Sequence, residues 1–290
     1  MVYKPHRPIF SLNGLEYPGL WKDVAFVAPL NQTVMGGKTM LLDARGGLLN
    51  GADMTAGSTA VFRGTPYGLG VGISGASNLL YQDNFLPVAT SNGVGTGDFT
   101  VVCLANPPAE AVISIAVSQF ASGSQPRFNV FFNINEAGTA TPGSFMFQTR
   151  DAAIVTPVVA GAIDGNYHLF GGARDGSNVR AWVDGQLRAS VSGAIQNVAG
   201  AGAGFAIGSH AEGTANRINT ATNIVFVAAW NRALSAAEMR MLGRDPFCMF
   251  RPRRDWIMKA AGGAGGAGGM RIISAGGTGA MRIVAPGGLG

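Results

Sequence analysis

From Trp21 onward the chain is written in short runs of β-branched and aromatic residues, each closed by Gly, Asn, Asp or Pro. That punctuation leaves no room for long helices. The clearest runs are residues 99–105, 112–120, 128–134, 144–150, 167–173, 179–183, 186–191, 205–207 and 224–230. Strands in that number, joined by short turns, bury their apolar sides by packing as two antiparallel sheets. Composition agrees. Gly accounts for 44 of 290 residues and charged residues for 13%, so positive-φ turn positions are plentiful and a charge-laced helical surface is not. The predicted fold is all-β: an antiparallel sandwich.

Asp184-Gly185, between 179–183 and 186–191, is a two-residue connection of the type I′ kind, in which both turn residues need positive φ. Along the first arm Val179, Ala181 and Val183 point one way and Arg180 and Trp182 the other, which predicts one core face and one surface face. One short helix is predicted late. Ser235 supplies the cap and Glu238 reaches back to it, ahead of Met239, Met241 and Leu242. Gly243 is expected to end this helix and Pro246 to prevent its resumption.

The net charge of +5 belongs to the ends of the chain. Residues 1–22 carry Lys4, Arg7 and Lys22 against Glu16; residues 244–259 are net +3; residues 260–290 add Arg271 and Arg282; residues 23–243 are net −2. A nucleic-acid partner calls for a basic, aromatic-lined body, so nucleic acid is not expected. Basic arms on a near-neutral body suit docking on an acidic neighbour. Residues 1–20, with Pro5, Pro8 and Pro18, read as an extended arm. No apolar run reaches the roughly 18–20 residues of a membrane span, and no apolar stretch follows the first charges as in a secretory signal. The chain is therefore expected to be made in a cytoplasm, away from membranes. Cys103 and Cys248 lie outside any Cys/His cluster and read as two buried thiols, with no metal and no cofactor.

Beyond Met258 the composition turns to Gly and Ala, with 12 Gly in the last 31 residues. Within this tail Met270-Arg-Ile-Ile-Ser-Ala-Gly-Gly returns eleven residues later as Met281-Arg-Ile-Val-Ala-Pro-Gly-Gly. One reading is a linker with two accidental apolar patches. The other is two short strands, Met270, Ile272 and Ile273 in the first and Met281, Ile283 and Val284 in the second, that add to a sheet edge on a neighbouring subunit. Residues 247–259 hold Phe250, Arg251, Arg253, Arg254 and Trp256 and read as a basic-aromatic docking segment, beside the plainer reading of a solvated charge run.

Catalytic chemistry finds little support. A glycosidase needs two carboxylates flanking the scissile bond, and no strand carries alternating acids. Glu110, Glu136 and Glu212 lie in loops, and the cap accounts for Glu238. His168 reads as a packing or hydrogen-bonding residue; His210 with Glu212 nearby lacks a nucleophile motif. The Gly-rich tail has no P-loop lysine. Trp182, Trp230, Trp256 and Phe250 are candidates for a sugar-stacking platform, with Trp230 reading rather as core.

Residues 165–187, Gly-Asn-Tyr-His-Leu-Phe-Gly-Gly-Ala-Arg-Asp-Gly-Ser-Asn-Val-Arg-Ala-Trp-Val-Asp-Gly-Gln-Leu, resemble the strand, DG turn and YVDG hairpin of concanavalin A-like, laminin-G-type domains. Phe205-Ala-Ile-Gly-Ser is similar to their "iG" strand, and NIVFVAAWNRALSAAEMRML to their last strand and "yNRaLSaaEi" helix. LWKDVAFVAPL, LLDARGGLLNGADMT and YGLGVGISGASNLLY resemble the opening of such domains in phage and prophage proteins. The resemblance covers about residues 20–250. It implies a jelly-roll domain over 21–250, between an arm at 1–20 and a docking tail at 251–290. Ser77-Asn78-Leu79-Leu80-Tyr81 lacks the Asp that relatives place before their "YV" strand, which removes a carboxylate from any calcium site; Asp164, Asp175 and Asp184 are turn residues. The implied role is a non-enzymatic virion structural protein, a capsid decoration or cement protein. Its partners would be the major capsid protein or other virion proteins, reached through Lys4, Arg7 and the tail residues named above, and a homo-oligomer such as a trimer would suit it. The alternative is a tail- or fibre-associated adhesin that binds a host surface glycan.

Overall fold

The computed structural model describes residues 15–30, 38–39, 54–56, 60–73, 80–82, 97–120, 127–150, 153–195, 198, 204–208 and 221–252. Its strands are β1 (Val24–Pro29), β2 (Lys38–Thr39), β3 (Met54–Ala56), β4 (Ala60–Thr65), β5 (Gly68–Ile73), β6 (Leu80–Gln82), β7 (Phe99–Ala105), β8 (Ser114–Phe120) and β9 (Arg127–Ile134). They continue with β10 (Ala140–Arg150), β11 (Ile154–Val155), β12 (Val158–Val159), β13 (His168–Asp175), β14 (Asn178–Val183), β15 (Gln186–Ser192), β16 (Gly204–Ile207) and β17 (Asn223–Trp230), followed by helix α1 (Ala236–Arg244).

The strands form two antiparallel sheets in a jelly-roll-like sandwich. One has the order β15-β14-β13-β7-β17-β5-β4, with β1 also paired to β17; the other runs β11-β10-β9-β8-β16-β6-β3-β2, with β12 also on β10. Between the sheets lies an aromatic core. The rings of Phe132, Phe145 and Phe170 stand 4.8 to 6.4 Å apart, and Phe99, Phe128 and Phe147 form a second group at 5.5 to 6.3 Å. All six are fully buried. At roughly 1.5–3 kcal/mol per large side chain, these rings supply much of the force holding the sheets face to face. Gly172 makes the fit possible: a Cβ there would stand 2.0 Å from the Phe147 ring.

The β13–β14–β15 ladder follows the sequence pattern. Asp184 (φ 50°) and Gly185 (φ 74°) form the positive-φ turn, and Val179, Ala181 and Val183 enter the inter-sheet core. The opposite face departs from expectation, because Trp182 is only 5% exposed. A second core covers it, in which Leu169, Trp182 and Trp230 pack with Leu20, Trp21, Met239 and Met249. A central sheet with both faces buried reads as continuous apolar runs, as β7 and β17 do; every residue of each is buried.

Two of the three indoles of this outer layer find partners, while Trp182 Nε1 is buried without one among the described residues. The Trp21 indole donates to the Met249 carbonyl at 2.7 Å and the Trp230 indole to the Leu20 carbonyl at 2.6 Å; a buried N–H left unpaired would cost about 1–3 kcal/mol. Arg232 donates to the Lys22 and Gly19 carbonyls and grips Glu238 with two bonds of 2.7 and 3.0 Å. Glu238 in turn completes the capping box with Ser235. One carboxylate thus ties the helix start to the chain that enters β1.

The described part of the 1–20 segment is seated on the sandwich. Leu15 and Leu20 are buried, Pro18–Trp21 form a 3-10 turn, and the Glu16 N–H donates to the Arg251 carbonyl at 2.9 Å, beside a bridge between Leu15 and Pro252. The two ends of the described chain are side by side. The thiols of Cys103 and Cys248 are free and buried; burial pushes Cys103 well up and, with Asp245 adding to it, Cys248 up to about 12.

Gly243 does not end the helix, which continues to Arg244. The residue is small because α1 lies directly on the hairpin turn. A Cβ at Gly243 would stand 2.3 Å from the Asp184 carbonyl, and one at Gly185 would stand 2.4 Å from the Met239 carbonyl. In an isolated helix Gly→Ala stabilises by roughly 0.8–1.0 kcal/mol. Here Gly243→Ala is expected to destabilise by about 1–3 kcal/mol, as an overpacked contact does. Urea unfolding of the two proteins checks the sign.

Candidate functional site

At the end of the sandwich where β13 begins, the loop before it and the Asp184-Gly185 turn bring polar side chains together. Asp164 accepts from both the backbone and side-chain N–H groups of Asn166, at 2.8 and 2.9 Å, which fixes the approach to β13. The turn locks onto the same strand through Asp184, whose carboxylate accepts the Leu169 N–H at 2.9 Å while its own N–H donates to the Leu169 carbonyl. His168 is held between the two carboxylates, with Nδ1 at 2.6 Å from Asp184 and Nε2 at 3.0 Å from Asp164.

Burial draws the His168 pKa down, but its hydrogen bonds to Asp184 and then Asp164 outweigh this and hold it above the ordinary histidine value. The Asn166 donors, followed by His168, lower Asp164 to about 2. Both carboxylates are half exposed. Oxygen acceptors therefore face solvent in a fixed array, suited to donors such as hydroxyl groups.

Tyr67, in the turn from β4 to β5, packs edge-on against Tyr167, the residue before His168, ring centres 5.5 Å apart, with Phe247 behind it at 6.3 Å. The turn is set by Thr65, whose hydroxyl accepts the Tyr67 N–H and donates to the Gly68 carbonyl. Burial pushes the Tyr167 hydroxyl up, against its hydrogen bonds with Asn223 and Thr65. Tyr67 is 38% exposed. An exposed ring supported by a second ring is a surface that binds through apolar contact and a few directed hydrogen bonds.

Sequence reasoning proposed other residues. Phe250 is half-buried, edge-on to Trp21 and Phe226 at 5.5 and 6.4 Å, within the outer core. Arg251 is exposed and pairs with Asp245. Trp182 and Trp230 are buried and cannot stack on a sugar. Lys4, Arg7, Arg253, Arg254, Trp256, Met270, Ile272, Ile273, Met281, Ile283 and Val284 lie outside the described residues, as do His210 and Glu212. The turn reading of the three aspartates holds for Asp164 and Asp184, which also clamp His168; Asp175 pairs with Arg180 at 2.6 Å. Tyr67 went unseen in the sequence, although a tyrosine inside the Thr-Pro-Tyr-Gly turn is an available signal for an exposed ring.

Glu238 is engaged by Arg232 and Ser235, while Glu110 and Glu136 lie outside the strands. Among the described residues, Glu238 serves a cap and Asp164 and Asp184 serve turns and a histidine clamp.

Residues 82–240 match the family model of the concanavalin A-like lectin/glucanases superfamily, Laminin_G_3. The chain belongs to that superfamily. Its fold is similar to the binding domain of Paraclostridial Mosquitocidal Protein 1 (TM-score 0.54, 12% identity, 79% of this chain and 53% of that one). It is also similar to the Botulinum Neurotoxin serotype G binding domain (TM-score 0.52, 13% identity, 76% and 50%). The Ruminococcus gnavus sialidase CBM40 with bound sialyllactose gives a TM-score of 0.45 at 14% identity, over 59% of this chain and 96% of that one. The chain spans about half the length of the two toxin binding domains. No curated protein matches it.

Because the folded-state pKa of His168 is raised, its bonds stabilise the fold below the unfolded value of roughly 6.5 and that contribution fades as pH rises through the folded value. His168→Gln is expected to flatten the decline in urea midpoint between about pH 5.5 and pH 8.5. An imidazole proton titration followed by NMR, with its midpoint above about 6.5, checks the cause.

Proposed function

We propose that this chain is a lectin-like adhesin domain of a tailed phage or prophage, binding a neutral, hydroxyl-rich host-surface glycan at the Tyr67 end of the sandwich. The observation that carries the reading is the Tyr67 ring, exposed and braced by Tyr167, the residue that precedes the clamped His168. An apolar sugar face stacks on the ring and a few directed hydrogen bonds fix its orientation. The superfamily holds lectins and glucanases; the placement of the acids here favours the lectin side. The half-exposed Asp164 and Asp184 carboxylates select against anionic sugars.

A second reading, a capsid decoration protein held through its arms and made in the host cytoplasm, draws on one feature. Leu15 and Pro252 are bridged, so the basic segments 1–14 and 253–290 leave the body from one place and can engage one partner surface. Oligosaccharide-array binding, followed by calorimetry with the best neutral ligand, separates the two. The adhesin reading expects Tyr67→Ala to weaken binding at least 10-fold with Tyr67→Phe close to the parent, and the unfolding midpoint unchanged in both. If no neutral glycan is bound and the protein instead copurifies with virions at hundreds of copies, the decoration reading replaces it.

A further inference from the structure

The strand β15 is an open sheet edge. It ends its sheet among the described strands, it is seven residues long, and its side chains are exposed along its length apart from a half-buried Ala189. Leu187 (46% exposed) lies beside Trp182 on the outer face and Val191 (36%) beside Val179 on the core face. Ile195 and Ile154 are more than half exposed, and Gly193 sits against Val155, next to Ile154. Uncovered edges of this length invite strand addition, and proteins ordinarily blunt or cover them. The other edges differ: β4 has half-buried Val61, Phe62 and Arg63, and β2, β11 and β12 have two residues each.

We propose that the occupant of this edge is the chain's own first tail repeat, Met270-Arg-Ile-Ile, added as a further strand outside β15. In an extended strand Met270 and Ile272 share one face and Ile273 the other, so the repeat brings apolar side chains to both faces, as Leu187 and Val191 require. Reach supports addition within one chain. Phe250 stands over Phe226 of β17, and from β17 a strand outside β15 is five inter-strand steps away, about 24 Å at about 4.8 Å each. The segment between Pro252 and Met270 has 17 residues, ten of them Gly or Ala, and a Gly-rich chain of that length spans about 21–25 Å root-mean-square. A linker whose span matches the distance gives the highest effective concentration, of millimolar order, far above that of a second copy at micromolar protein. The second repeat, Met281-Arg-Ile-Val, follows after a Gly-rich connection and can pair with the first as the next strand.

Hydrogen exchange on the full chain tests this. The outward-facing amides of Gln186–Ser192 are expected to exchange at least 10-fold faster when Ile272→Pro and Ile283→Pro remove a ladder donor from each repeat, with the unfolding midpoint of the body unchanged. Equal exchange in both proteins overturns the proposal. Cross-linking is the second measurement: Ser190→Cys is combined in turn with Arg271→Cys and Ile272→Cys, the native thiols being buried. A disulfide within one chain, formed equally at low and high protein concentration, is expected from one of the pairs. Cross-links only between chains would assign the edge to another copy and overturn addition in cis. Glycan binding at Tyr67 is unaffected by either result.

Discussion

The β7–β17 ladder has no face turned to water, and the rest of the molecule follows from that. On one side its alternate residues meet the phenylalanines of the second sheet; on the other, Val102, Leu104, Ala228 and Trp230 need a cover. An antiparallel sheet commonly leaves one face solvated. Here the chain before β1 and the chain after β17 return to the same face and close it, so that segments 15–21 and 234–250 are as much part of the fold as any strand. Trp21, Trp230 and Arg232 join them with hydrogen bonds that run between distant parts of the sequence. The outer core is laid on the ladder beneath it.

The acidic groups show how one residue type is turned to several ends. Glu238 caps a helix and holds Arg232. Asp184 shapes a turn, latches it to β13 and binds an imidazole. None of these arrangements sets two carboxylates on opposite sides of an open cleft, as bond cleavage in a sugar would demand. What the arrangement does produce is a set of fixed acceptors around His168. Rigid acceptors lose little freedom on binding, and the β13–β14 hairpin supplies that rigidity.

Local chemistry was legible in the sequence wherever neighbouring residues decide it. Asp184-Gly185 announces its own turn, Ser235 and Glu238 announce the cap, and the alternation of Val179, Ala181 and Val183 identifies the core side of β14. Features decided by distant residues were not legible. Trp182 reads as a surface residue because its cover, α1 and the Met249 region, comes from more than fifty residues away. Gly243 reads as a helix stop, although its smallness answers a backbone that arrives from residue 184. The flat run of β1, Val-Ala-Phe-Val-Ala-Pro, lacks the alternation that marks a half-buried strand because both of its faces are covered. Tyr67 and Tyr167 lie a hundred positions apart, and only the curl of the β4–β5 hairpin joins them.

The bridge between Leu15 and Pro252 places entry and exit a single strand spacing apart. A body of this kind can be joined end to end across that gap and reopened in a surface turn, giving a circularly permuted protein with the same two cores. It can equally be grafted into an exposed loop of an unrelated host, because the host's own backbone need open by only about 5 Å to receive it. The same geometry passes little strain from one side of the insertion to the other: a pull on both flanking segments is taken by the short 15–16 and 251–252 pairing before it reaches the sheets.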